Sequence, residues 1–388
     1  MILHGPLSLA DLLGDFVVYR NLQPVDPKLP GLRDIAPQLG LAGAPTPRKT
    51  ELDYARVVAS ILDSAARLNG REPAMQRLVA LGDTRLYDVG AFRNLCQVTG
   101  WYGQAFICAE RMNEPAKMEE PEAGVYLANR WAMLGDLPDA LHQRSFPVDE
   151  NTVIMVDLDK TAIGARGRND HIIDQARIEG VRRTAAALLG ATYDEERFLV
   201  AYYKLNQPPF HPFTADNQDY LVYICLLIAA GIRRLDDVVA EVQSGALRSF
   251  SQFIEAINAR YAENRTADFP RSVLAGSPLA AVHSAVYERF SAGDPTPFKA
   301  FRHNEFRATM ERLGCLQGTP SVEEALAQEI VITHEVAQLA QHWRQCGALV
   351  FGISDKPDEA ALPAEEDRAT GYVPLHRGRT HCVGEEIL

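Results

Sequence analysis

The sequence has no apolar stretch long enough to cross a bilayer. Its longest, Leu221–Ile232, runs for twelve residues and stops at Arg233-Arg234, well short of the ~20 that a spanning helix needs. Positive charge is also scarce. Lys and Arg number 39 against 51 Asp and Glu, a formal charge of −12, which argues against a protein that neutralises phosphates along a nucleic acid but permits a local basic pocket for a small anion. Six scattered cysteines form no C-x-x-C pair, so reduced thiols are expected rather than a disulfide framework. His376 and His381 stand near Cys382, but without a second cysteine pair they are not read as a zinc site. Gly (27) and Pro (23) are too few for a low-complexity chain, and no internal repeat is visible. Met1–Phe16 has no basic head and is interrupted by His4, Asp11 and Asp15, unlike a secretory signal. A cytoplasmic protein with no membrane or nucleic-acid partner is expected.

What is present is an ordinary globular composition, 47% hydrophobic and 23% charged over 388 residues, enough for roughly two to three folding units. Thr50–Asn69 places Leu52, Ala55, Val58, Ala59, Ile61, Leu62 and Ala65 at helical spacing and closes on Asn69-Gly70. Leu78–Leu81 and Ala105–Cys108 read as buried strands with Val89–Val98 as the crossover helix between them. Residues 110–150 read as a connecting segment with a helix-like stretch at Val125–Leu134. Val153–Val156 predicts a further buried strand, ending in Asp157-Leu158-Asp159-Lys160-Thr161. The period then turns helical over Ile172–Gly190, Tyr220–Ala230, Leu235–Ala262, Leu279–Phe290, Phe298–Leu313 and Val322–Cys346, with breaks at Pro208, Pro270 and Pro295. Ala348–Ile353 returns to strand character and stops at Ser354. The expected organisation is an α/β protein: residues 1–169 and 347–388 form a parallel-sheet core, and 170–346 form an all-helical domain.

Two carboxylates spaced two apart after a buried strand, Asp157 and Asp159, sit where open parallel sheets place their ligands. Taken with three other segments, they resemble the haloacid dehalogenase-like superfamily. Val-Ile-Met-Val-Asp157-Leu-Asp159-Lys-Thr161 is similar to its first motif, and Leu349–Ser354, followed by Asp-Lys-Pro-Asp-Glu, to its second. Lys49 before a helix resembles the third, and Leu78–Asp83 with Asp88 five residues on resembles the fourth. The order along the chain is third, fourth, first, second, which one circular permutation explains, because joining nearby termini changes connectivity without moving strands.

The resemblance implies a Rossmann-like sheet, a circularly permuted core, and a helical cap at 170–346. It also implies a Mg²⁺-dependent phosphatase acting on a small-molecule phosphate ester. Asp157 would be the nucleophile and Asp159 the acid and base. Lys49, Ser354 and Thr161 would hold the phosphoryl oxygens, with Thr161 also fixing the loop beside them. Asp157, Asp83 and the Asp159 carbonyl would hold the metal, with Asp88 supporting that shell or holding Lys49. Substrate contacts from the cap are expected from Lys204, Arg302, His303 and Arg307. Three other readings stay open: a phosphotransferase on the same scaffold, a metal-dependent glycosyltransferase using Asp157-x-Asp159, and a non-catalytic relative. No feature of the sequence speaks to oligomeric state.

Overall fold

A computed structural model of the chain describes residues 1–70, 75–262 and 278–388. Its strands are β1 (Ile2–Leu7), β2 (Val17–Val18), β3 (Arg77–Gly82), β4 (Tyr102–Cys108), β5 (Met118–Glu122), β6 (Val125–Ala128), β7 (Thr152–Asp157), β8 (Ile332–Thr333), β9 (Leu349–Ile353) and β10 (Thr380–Gly384). Seven of them form one sheet in the order β2-β9-β7-β3-β4-β6-β5. Every neighbouring pair in it is parallel except β5 with β6. The fold is α/β, as the alternation of apolar runs and helical periods predicts.

Strand alternation decides what each face of this sheet buries. On one face Leu78, Ala80, Val153, Met155, Leu349, Phe351 and Ile353 share a core with Ile61, Leu62 and Ala65 of the helix Leu52–Leu68. On the other, Val79, Leu81, Ile154, Val156 and Val350 pack with Trp131, Leu339 and Trp343. Both faces are covered, so β7 is apolar throughout Val153–Val156 between Thr152 and Asp157, and all six of its residues are buried. A second sheet has the order β1-β10-β8, with β1 antiparallel and β8 parallel to β10.

The chain divides into two compact units, Met1–Ala176 with Ala308–Leu388, and Arg177–Arg307. The second unit is helical throughout its described residues, and its core is the helix Gln218–Ala229, in which Leu221 to Ala229 are all buried. Nine residues of the twelve-residue apolar run, Leu221 to Ala229, therefore form a helical segment apolar all round in this core. No helix among the described residues is long and apolar enough to cross a membrane.

Several boundaries differ from those expected. Residues 308–346 belong to the α/β unit: Val322–Cys346 is not one helix but two, Val322–Gln328 and His334–Gln345, separated by β8. Residues 110–150 are not a mere connector, because β6 and β5 extend the large sheet there and Val125–Leu134 is a strand followed by a 3₁₀ turn. Leu235–Ala262 breaks at Gly245, whose left-handed backbone (φ 75°) ends one helix before Phe250–Ala262 begins the next. Pro270 lies outside the described residues.

Candidate functional site

β7 lies between β3 and β9, and all three are parallel, so their C-terminal ends open at one edge. The register pairs Asp157 with Ile353 and Val156 with Leu81. The next residues off the neighbouring strands, Ser354 after β9 and Asp83 after β3, therefore leave the sheet beside Asp157. By strand parity Asp157 belongs with Val153 and Met155, on the face covered by the helix Leu52–Leu68. Lys49 stands just ahead of that helix and reaches the same point.

The Lys49 ammonium donates to Asp157 Oδ1 at 2.5 Å and to Asp88 Oδ1 at 2.8 Å. All three side chains are buried, Lys49 at 3% exposure. Asp88 Oδ2 accepts from the backbone amides of Asp83 (3.1 Å) and Thr84 (2.8 Å) and from the Thr84 hydroxyl (2.8 Å). This carboxylate crosses the β3 turn closely enough that a Cβ on Gly82 would stand 2.7 Å from its carboxyl carbon. Asp88 thus spends both oxygens on Lys49 and on the turn. Of the two roles expected for it, holding Lys49 is the one its hydrogen bonds describe. Asp83 is ion-paired with Arg166. One oxygen each of Asp83, Asp88 and Asp157 lie within 4.8 Å of one another.

Three buried carboxylates face two cations, Lys49 and Arg166, and the shortage of positive charge falls unevenly. Burial alone would lower the Lys49 pKa, but Asp157 and Asp88 outweigh it and hold the ammonium well above its ordinary range. Burial likewise opposes ionisation of Asp88, yet Lys49 and the Thr84 donors keep it below the usual carboxylate value. Asp157 is pushed well up by burial and by Asp88 and Asp83, against the pull of Lys49. Burial lifts Asp83 to about 7 in spite of Arg166. Oxygen-only donors with surplus negative charge suit a hard divalent cation.

The remaining expected residues are near the same edge in different settings. Asp159 stands apart from the three-carboxylate group and has the Lys356 ammonium 3.4 Å from its Oδ1. The Ser354 hydroxyl oxygen accepts from the Lys356 amide at 3.1 Å, which leaves its O–H to donate elsewhere. Thr161 is fully enclosed and its hydroxyl makes no hydrogen bond, while its carbonyl accepts from Thr333 Oγ1 at 2.5 Å and so anchors the loop. That loop turns back on itself through Ala162 N to Asp157 O (3.2 Å) and Ile163 N to Leu158 O (3.0 Å), with Lys160 in the left-handed region at φ 65°.

Two residues that carried no assignment from sequence belong here: Lys356, buried beside Asp159, and Arg166, on Asp83. Only the strand order, which brings 354–356 and 157–166 to one edge, reveals them. Of the residues expected to touch substrate from the helical unit, Arg302 is occupied. It is buried in ion pairs with Asp219 (2.6 Å) and Glu305 (2.6 Å). Lys204 Nζ lies over the Phe210 ring at 5.6 Å. Comparison with known protein families, with curated proteins and with solved structures returns no match to this chain.

Proposed function

We propose that the chain is a Mg²⁺-dependent phosphoryl hydrolase that removes phosphate from a small organic ester through an aspartyl-phosphate on Asp157, on a circularly permuted haloacid dehalogenase-like core. The observation that carries this reading is the meeting of Lys49, Asp83, Asp88 and Asp157 at the edge where β3, β7 and β9 end in parallel. Three segments read separately from the sequence as motifs of one chemistry supply these residues, and Ser354 of the fourth follows β9 at the same edge.

Asp157 Oδ1 is held by Lys49, which orients the carboxylate and leaves its second oxygen to attack phosphorus. The new O–P bond forms as the ester O–P bond breaks, and the leaving oxygen takes a proton from Asp159. Asp159 then accepts a proton from the water that attacks the aspartyl-phosphate, the bond to Asp157 breaks, and inorganic phosphate leaves. The Ser354 O–H and the Lys49 ammonium donate to phosphoryl oxygens as charge spreads over them. The Lys356 ammonium, 3.4 Å from Asp159 Oδ1, donates to that carboxylate and orients it. Asp157, Asp83 and the Asp159 carbonyl would hold Mg²⁺, which when bound supplies the charge neutralisation that lets a carboxylate approach a phosphate. Substrate selection we assign to the helical unit Arg177–Arg307, inserted in the chain between β7 and β9.

The test is hydrolysis of an aryl phosphate and of a panel of metabolite phosphates by the full chain with and without Mg²⁺, read as released phosphate. Activity is expected to vanish in Asp157→Asn and to fall by about 10²–10⁴ in Asp159→Asn. Undiminished hydrolysis in Asp157→Asn, or release of sugar from a nucleotide-sugar in place of phosphate, would refute the proposal.

A further inference from the structure

The small sheet, whose β8 borders the loop after β7 through Thr333 and Thr161, gathers a second set of ligand-type side chains. His4 on β1 pairs in register with Cys382 on β10. His334 opens the helix that follows β8, and Glu386 lies just beyond β10. The two imidazoles stack, with centroids 3.5 Å apart and planes 6° from parallel. Glu386 places Oε1 3.8 Å from His4 Nδ1 and Oε2 3.5 Å from His334 Nε2. One ligand atom from each of the three residues lies within 4.8 Å of the others. The Nε2 atoms of both histidines are buried and make no hydrogen bond, that of His334 having only Glu386 at 3.5 Å, and buried polar atoms left so are rare enough to require a reason.

We propose that His4, His334 and Glu386 bind a transition-metal cation of the Zn²⁺ class, at a site separate from the Asp83–Asp157 cluster. Two imidazoles with one carboxylate match that class of ion, whereas Mg²⁺ asks for oxygen ligands alone. Nitrogens held ~2.0–2.1 Å from a tetrahedral ion stand about 3.4 Å apart, and one ligand atom of each residue already lies within 4.8 Å of the others. Binding needs the two rings to turn out of their parallel stack, because lone pairs in planes 6° from parallel do not converge. Supporting contacts hold the ligands: Cys382 Sγ lies 3.5 Å from His334 Nδ1, which leaves Nε2 as the metal-facing nitrogen, and Gln338 Nε2 donates to Glu386 Oε2. The surroundings favour a cation, because buried Glu335 and Glu110 share the single guanidinium of Arg168. Glu386 is half-exposed, which gives an ion a route in and water the fourth position. The bound ion ties β1, β10 and the helix after β8 to one another.

The experiment uses the untagged full chain, stripped with a chelator and titrated with Zn²⁺ against a chromophoric competitor, with Co²⁺ absorption as a second readout of coordination geometry. One equivalent per chain is expected with Kd below about 1 µM. His4→Gln and His334→Gln should each weaken it by roughly 100-fold, and Glu386→Gln, at an exposed position that spares the fold, by at least about 10-fold. Asp157→Asn should leave it unchanged, which separates this site from the one assigned to Mg²⁺. Far-UV circular dichroism checks that each variant is folded. The proposal is overturned by the lack of a saturable equivalent in the wild-type chain, by its persistence in folded histidine variants, or by its loss in Asp157→Asn.

Discussion

Replacing Lys49 by Met would strand the carboxylates it now serves. The ammonium lies 2.5 Å from Asp157 and 2.8 Å from Asp88, with all three groups nearly free of solvent. At an effective dielectric of about 20, each attraction is worth roughly 6–7 kcal/mol before desolvation is charged against it. Taking an ammonium out of water costs several kcal/mol, and breaking a buried pair by removing one partner costs about 3–5 kcal/mol net. That is the expected loss for Lys49→Met at pH 7 in chelator. Urea unfolding followed by tryptophan fluorescence measures it cleanly, since all three tryptophans, Trp101, Trp131 and Trp343, lie in the α/β unit and none in the helical one. Adding Asp157→Asn to Lys49→Met should recover about 1–2 kcal/mol, because it removes one of the buried carboxyls left without a cation. A loss below about 1 kcal/mol, or no recovery in the double variant, would show that Lys49 is not the counter-ion that makes this cluster tolerable.

Gly82→Ala should displace the Asp88 carboxylate that its Cβ would meet at 2.7 Å, at a cost of about 1–3 kcal/mol for the added methyl. Phosphate release should fall with it, and full activity in the variant would contradict the part given to Asp88. His283 is buried against the Tyr223 hydroxyl (2.6 Å), and burial lowers its pKa to about 4. The unfolded chain takes up this proton near pH 6.5, so the helical unit should keep its full stability above that pH. It should lose up to about 3 kcal/mol as pH falls from 6.5 to 4. Acid titrations of helical dichroism for wild type and His283→Gln should diverge over that range, and parallel curves would refute the assignment.

The elements that could be read directly are those whose burial is complete. β3, β4, β7 and β9 lie in the middle of a sheet covered on both faces, so each reads as a continuous apolar run. β5 and β6 could not be read this way: Met118–Glu122 is an edge strand carrying three glutamates, and Val125–Ala128 is too short to separate from a helical period. β8, two residues long, leaves no signature between the helical patterns around it. Asp83 and Asp88 were legible because their spacing is local, and Asp157 because it ends a fully buried strand. Arg166, Lys356 and the His4–His334–Glu386 group were not. Their partners lie far away in the chain, and only the pairing of β3 with β7, β7 with β9 and β1 with β10 brings them together.

The strand order also governs how the protein is made. β7 acquires its neighbour β9 only after about 190 further residues have been added, which at a ribosomal pace of ~5–20 residues per second is roughly 10–40 s. Throughout that interval a strand apolar from Val153 to Val156 waits with one row of amides and carbonyls unpaired, open to capture by another nascent chain. The helical insert, whose core needs nothing from the rest of the polypeptide, can condense meanwhile and shorten the effective distance the last strand must search. Truncation anywhere before Leu349 would leave that hydrogen-bonding row permanently open, so fragments ending in the insert should demand chaperones or aggregate.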